Sequence, residues 1–258
     1  MLYEYLNMSW PQIQEAKEKN MLFVLSVGAI EQHGHHLPVS VDHVIPYEMV
    51  RQRIADKIDV VMLPPIYYGY RSQTTVGGGP HFFGTLRMSA ESIIYPVRDI
   101  VLELLRFGID KLMITNGHLE NRYFIVDGVE RAIQEYHGPN EIKVMYNEWN
   151  NYLTQETLDE IFEGKFPGFD YEHAAINETS LMLALAPELV QMDKLPDEYA
   201  ERYINYYVWP SGDELVTKNG ALSSAKKSSA QIGERMLEDI VPGILQDIQI
   251  EFYNQEKV

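Results

Sequence analysis

The 258-residue chain contains no cysteine, which excludes disulfides, thiolate metal ligands and cysteine nucleophiles. It has no apolar run of about 18 residues, so no membrane span is expected. Its opening stretch, MLYEYLNMSW, lacks the basic and apolar regions of a secretory leader, and a cytoplasmic location is expected. Basic residues are scarce: 21 Lys and Arg stand against 38 Asp and Glu, a formal net charge of −17. That sign of charge disfavours nucleic acid and anionic membrane as partners. One use of the acidity is solubility. Another is to serve cations, because hard and borderline metals take carboxylate ligands. Low-complexity segments, internal repeats and linkers are missing too, so residues 1–258 are expected to form a single domain.

What is present is ordinary for a globular protein. Hydrophobic residues make up 45% of the chain, enough for a core at this length without staples. Residues 10–19 read as a helix opened by Trp10-Pro11, since proline suits a first turn. The apolar runs at 21–28 and 111–115 read as buried strands, with further strands at 59–63 and 142–147. Helical patterns cover 44–57, 89–107, 121–136, 154–163 and 176–186. A last amphipathic helical stretch covers 222–252, with a break expected near Pro242. Residues 66–88, rich in Gly, aromatic and hydroxyl side chains, read as a long functional loop, and 188–220 as irregular. Strands alternating with helices imply an α/β fold, a mostly parallel sheet covered on both faces. Ligands in such folds bind beyond the carboxyl ends of the strands.

Two clusters of metal-ligating residue types follow strand ends. The first is Glu31-Gln32-His33, with Asp42 after a short loop. Residues two apart in an extended segment point to one side, so Glu31 and His33 can face one cation. Imidazole with carboxylate suits zinc, manganese or iron better than magnesium or calcium. The second is Asn116-Gly117-His118-Leu119-Glu120-Asn121, which repeats the two-residue spacing. Each cluster alone could be a polar loop, or a turn with Asn121 as a helix cap. Together they supply enough ligands for two metals, which would activate a water and polarise a carbonyl. A third cluster, Asp170-Tyr171-Glu172-His173, precedes Glu178. His173 could carry a proton beside such a water. Equally, Asp170 or Glu172 could complement a helix dipole.

Several segments resemble the creatininase (creatinine amidohydrolase) family: GAIEQHGHHLPVSVD, YGYRSQ with the following GGG and HFFGT, NGHLEN with FIVDG, DYEHAAINETSLMLAL, and GALSSAKKSS. They occur in family order between about residues 20 and 245. The resemblance implies a three-layer α/β/α sandwich, a hexamer, and two divalent metal ions, zinc and manganese as usual occupants. It implies hydrolysis of a small cyclic amide, creatinine to creatine. By motif, Glu31, Asp42 and His118 would hold one metal and His33, Asp42 and Glu120 the other, with Asp42 bridging. Glu120 and His173 would be catalytic. Ser72, Leu119, Trp149, Phe169, Asp170 and His173 would face the substrate. Leu119 stands where creatininase has Tyr, Phe169 where it has Trp, and Ala174-Ala175 where it has a Gly pair. His35 replaces a family Pro. These departures leave room for other substrates of the same fold, a diketo-inositol opened at a carbon–carbon bond or a formamide. A metal-binding protein without catalysis is the remaining alternative.

Overall fold

A computed structural model describes residues 1–72, 82–197, 199, 206, 208 and 217–253. The elements in chain order are β1 (Leu2–Glu4), α1 (Trp10–Glu18), β2 (Leu22–Val27), α2 (Val41–Met49) and β3 (Val60–Met62). Then follow α3 (Glu91–Phe107), β4 (Lys111–Asn116), α4 (Arg122–Glu135), β5 (Lys143–Glu148), α5 (Gln155–Phe162), α6 (Ile176–Leu185) and α7 (Ala230–Ile248).

The five strands form one sheet in the order β1-β3-β2-β4-β5, every pair parallel. β2 and β4 lie at its centre and bury every residue. That is why they read as unbroken apolar runs rather than alternating ones. Alternate side chains still go to opposite faces. Leu22, Val24 and Met113 join a core with α2, α6 and α7. Phe23, Leu25, Leu112 and Ile114 join another with α1, α3 and α4. The result is the expected three-layer α/β/α arrangement. Among the described residues no helix is long and apolar enough to cross a membrane.

The differences in detail have local causes. β1 is only three residues long and carries no periodic signal. α2 begins at Val41 rather than near 44, so Asp42, expected after a short loop, lies in the helix's first turn. There the helix dipole favours its carboxylate. α7 does not start at 222. Its first turn is capped by Ser229, whose hydroxyl accepts the Ile232 N–H at 3.2 Å. Pro242 does not interrupt it. This proline faces solvent, where water can take up the freed carbonyl, while Ile240 and Ile244 stay buried. Much of the 66–88 and 188–220 segments, including Gln73, the GGG run and His81, lies outside the described residues.

Candidate metal centre and active-site pocket

The adjacent central strands β2 and β4 end side by side, with Val27 opposite Asn116, and both ligand clusters follow from these ends. The first turn of α2 is seated against them by glycines. A Cβ on Gly117 would come within 1.9 Å of the Asp42 carbonyl oxygen, and one on Gly28 within 2.7 Å of the same atom. No side chain fits at either place. Asn121 occupies the N-cap position of α4, as the turn reading of this segment has it, but its side chain makes no capping hydrogen bond. Its amide instead accepts the Tyr70 N–H at 2.8 Å and donates to the Gly28 carbonyl at 2.9 Å, tying three loops together.

Asp42 is the centre of the arrangement. Its Oδ1 lies 3.2 Å from His33 Nε2, and its Oδ2 lies 3.1 Å from His118 Nδ1. His118 Nδ1 is also 3.4 Å from Glu31. Backbone carbonyls fix both rings: His33 Nδ1 donates to Glu31 O at 3.1 Å and His118 Nε2 to Tyr70 O at 2.8 Å. The nitrogen that faces the carboxylates is therefore the one whose lone pair a metal would take.

Glu178, on α6, lies 3.6 Å from His33 Nε2. Donor atoms of Glu31, Asp42 and His118 group within 4.8 Å of one another, as do those of His33, Asp42 and Glu178. Glu31, His33 and His173 form a third such group. Glu120 is in none of them. It lies 3.5 Å from His118 Nε2, the nitrogen turned away from Asp42. Residues 119–121 form a 3₁₀ turn, which breaks the alternation expected to align Glu120 with His118. Sequence reasoning thus missed Glu178 as a partner of His33. The available signal was the polar run Asn177-Glu178-Thr179-Ser180 in an otherwise apolar helix.

The electrostatics call for a cation. Burial pushes the Glu31 carboxyl up to about 8, against the pull of His118. Burial would also raise Asp42, but His33 and His118 hold it below the usual carboxylate range. Burial opposes protonation of His33 and His118, yet the surrounding carboxylates raise both well above the usual histidine range. Buried carboxylates at this density need positive charge among them. Glu31 Oε1, His33 Nε2 and Asp42 Oδ2 are buried without a well-directed hydrogen bond, so they aim at shared points more than at one another. The donor set, imidazole and carboxylate, fits divalent transition metals.

Beside this cluster opens a cavity of about 350 Å³, lined by Ser72, Leu119, Glu120, Phe169, Asp170 and His173 among others. Trp149 lines a smaller adjoining cavity with Leu119 and Phe169. Five of the residues expected to face substrate therefore line the larger cavity, and Trp149 lines the adjoining one. His173 Nε2 donates to the Gln32 carbonyl at 2.8 Å, leaving Nδ1 as an acceptor 3.9 Å from Glu31. Its ring packs on His33, with centroids 4.1 Å apart, and stacks on Phe82. Burial and the neighbouring His33 push it down to about 4, so it rests neutral. Glu172 accepts the Asn177 N–H at 3.0 Å at the start of α6. Burial and the Glu178 charge push its carboxyl up to about 8. Ala174 holds a left-handed φ of 52°, a conformation that costs a non-glycine residue about 1–2 kcal/mol.

The Creatininase (creatinine amidohydrolase) profile matches residues 6–248. The chain belongs to the creatininase family. It is 39% identical to the creatinine amidohydrolase of Pseudomonas putida over 234 residues, 90% of each chain. A solved mutant creatininase complexed with creatine superposes with a TM-score of 0.92 at 35% identity, covering 98% of this chain and all of that one. A more distant relative, 26% identical over 250 residues and covering 90% of this chain and 82% of that one, is the mycofactocin precursor peptide peptidase of Mycobacterium ulcerans (strain Agy99). Within the creatininase family this chain is a hydrolase, and its clustered donors fit divalent metal binding.

Proposed function

We propose that the protein is a binuclear metal hydrolase that opens a small cyclic amide, creatinine being the first substrate to test. The observation that carries this reading is Asp42, whose two oxygens face histidines from two different strand ends. Glu31, Asp42 and His118 would hold one metal, and His33, Asp42 and Glu178 the other, with Asp42 bridging. Bound there, the metals would activate a water and polarise the scissile carbonyl. Solved creatininases that resemble this chain at 35% identity include a manganese form and a zinc–zinc form, which supports these two elements as occupants.

The chain's own residues supply the rest. Glu120, on the cavity wall beside His118, takes the proton released as water attacks. His173, neutral at rest, accepts that proton from Glu120 at Nδ1 and delivers it to the leaving ring nitrogen as the amide C–N bond breaks. Its Nε2–H, held by the Gln32 carbonyl, keeps the ring from turning during that exchange. Ser72, Trp149 and Asp170 bound the space in which the ring lies. The resemblance also supports a homohexamer, which light scattering on the purified protein tests.

Creatine formation from creatinine by protein loaded with manganese or zinc is the direct assay. The account expects turnover that chelation removes. No creatine with any divalent metal would contradict it. A second reading keeps the site and changes the substrate. It is favoured by Leu119 and Phe169, which offer a flat guanidino ring less to stack on. The existence of a relative named as a peptide peptidase favours it as well. A diketo-inositol, a formamide and a short peptide assayed beside creatinine separate the two.

A further inference from the structure

Arg122 is the only lysine or arginine among the described residues that line the larger cavity. The other charged residues of that wall are carboxylates and histidines. Arg122 opens α4, where a cation opposes the helix dipole, so the helix gains nothing from its charge. Its guanidinium is nonetheless held firmly. Nε donates to Glu148 Oε1 at 3.0 Å and Nη2 donates to Oε2. Glu148 is 1% exposed. Its Oε1 also accepts from the Tyr146 hydroxyl and from Asn116 Nδ2, the latter at 3.1 Å. A buried carboxylate with this many donors fixes the plane of the guanidinium it grips. Nη1 has no hydrogen-bond partner among the described residues, and the side chain stays 39% exposed.

We propose that Arg122, pinned by Glu148, is the recognition point for a carboxylate on the substrate, at the end remote from the scissile amide. This rests on the hydrolase reading of the donor cluster. A fixed guanidinium presents planar N–H donors matched to carboxylate oxygens. Away from the donor cluster, the cavity wall carries the carboxylates Glu120 and Asp170, which repel a carboxylate there. Such a substrate is therefore oriented with its charge at Arg122 and its carbonyl at the donor cluster. The cavity volume, about 350 Å³, lies in the range that takes ligands larger than one small ring. Binding energy from a remote group is also what positions a reacting centre.

The test is calorimetric binding to the metal-loaded full chain of three matched rings. They are creatinine, its analogue with a carboxymethyl group in place of the N-methyl, and the corresponding carboxamide. The carboxymethyl ring is expected to bind at least about tenfold more tightly than the carboxamide. Arg122→Ala and Arg122→Met, which keeps the aliphatic stem, should each remove that preference while leaving creatinine affinity within about threefold. Glu148→Gln should remove part of it, because the guanidinium loses its anchor. Equal affinity of the two analogues, or a uniform loss for all three rings in both arginine variants, overturns the proposal. Failure of the cyclic-amide reading looks different: the binding preference persists, but no ring is opened by any metal-loaded form.

Discussion

Glu178 and His33, far apart in sequence, come within 3.6 Å through a helix on one face of the sheet and a loop at its edge. In the proposed site that contact makes Glu178, rather than Glu120, the third ligand of the second metal. It has a direct consequence for metal content. Glu178→Ala should lose about one of two bound metals, and Glu120→Gln should keep both yet lose most turnover. Atomic absorption on dialysed protein beside a product assay checks this. Equal metal loss in the two variants would restore Glu120 to the ligand set.

The ring of His173 reaches the cavity but, among the described residues, makes its one hydrogen bond to a backbone carbonyl. His173→Ala should lower kcat by roughly 100- to 10,000-fold, the usual worth of a positioned proton carrier. KM and metal content should change little. An unaltered kcat would remove His173 from the chemistry.

Gly117 lets the end of β4 lie against the first turn of α2. Gly117→Ala would drive its Cβ into the Asp42 carbonyl, and the helix must move. Urea denaturation should show a loss of at least about 1–3 kcal/mol, the usual cost of overpacking. Metal affinity should fall with it, because Asp42 moves too. Wild-type stability in this variant would mean that the close approach is not maintained in solution.

Chelation should destabilise the fold as well as stop turnover, because the carboxylates around Asp42 are buried and lose their counter-charge. A shift of Tm by roughly 5–10 °C is expected for tightly held metals, recovered on adding manganese or zinc. Differential scanning calorimetry with and without chelator measures it. A Tm indifferent to metal would argue against the cluster as a resident site.

Much of this was legible because the central strands are buried on both faces. LFVLSV and KLMITN leave little alternative to inner parallel strands. Their ends then place Glu31 and His118 at one sheet edge. What was not legible depends on local geometry or long-range contact. The 3₁₀ turn at Leu119–Asn121 re-aims Glu120, and nothing in NGHLEN announces it. Asn121 sits at the cap position, but its side chain ties Tyr70 to Gly28. Glu178 meets His33 only after α6 packs beside α2. Pro242 carries a strong breaking signal, yet one solvent-facing proline is tolerated in a helix whose other face is deeply buried.

The most direct test of the metal centre is anomalous diffraction from crystals of the zinc- or manganese-loaded protein. Two peaks are predicted, one among Glu31, Asp42 and His118 and the other among His33, Asp42 and Glu178, with Asp42 contacting both. A single peak, or a second peak held by Glu120 in place of Glu178, would contradict the account.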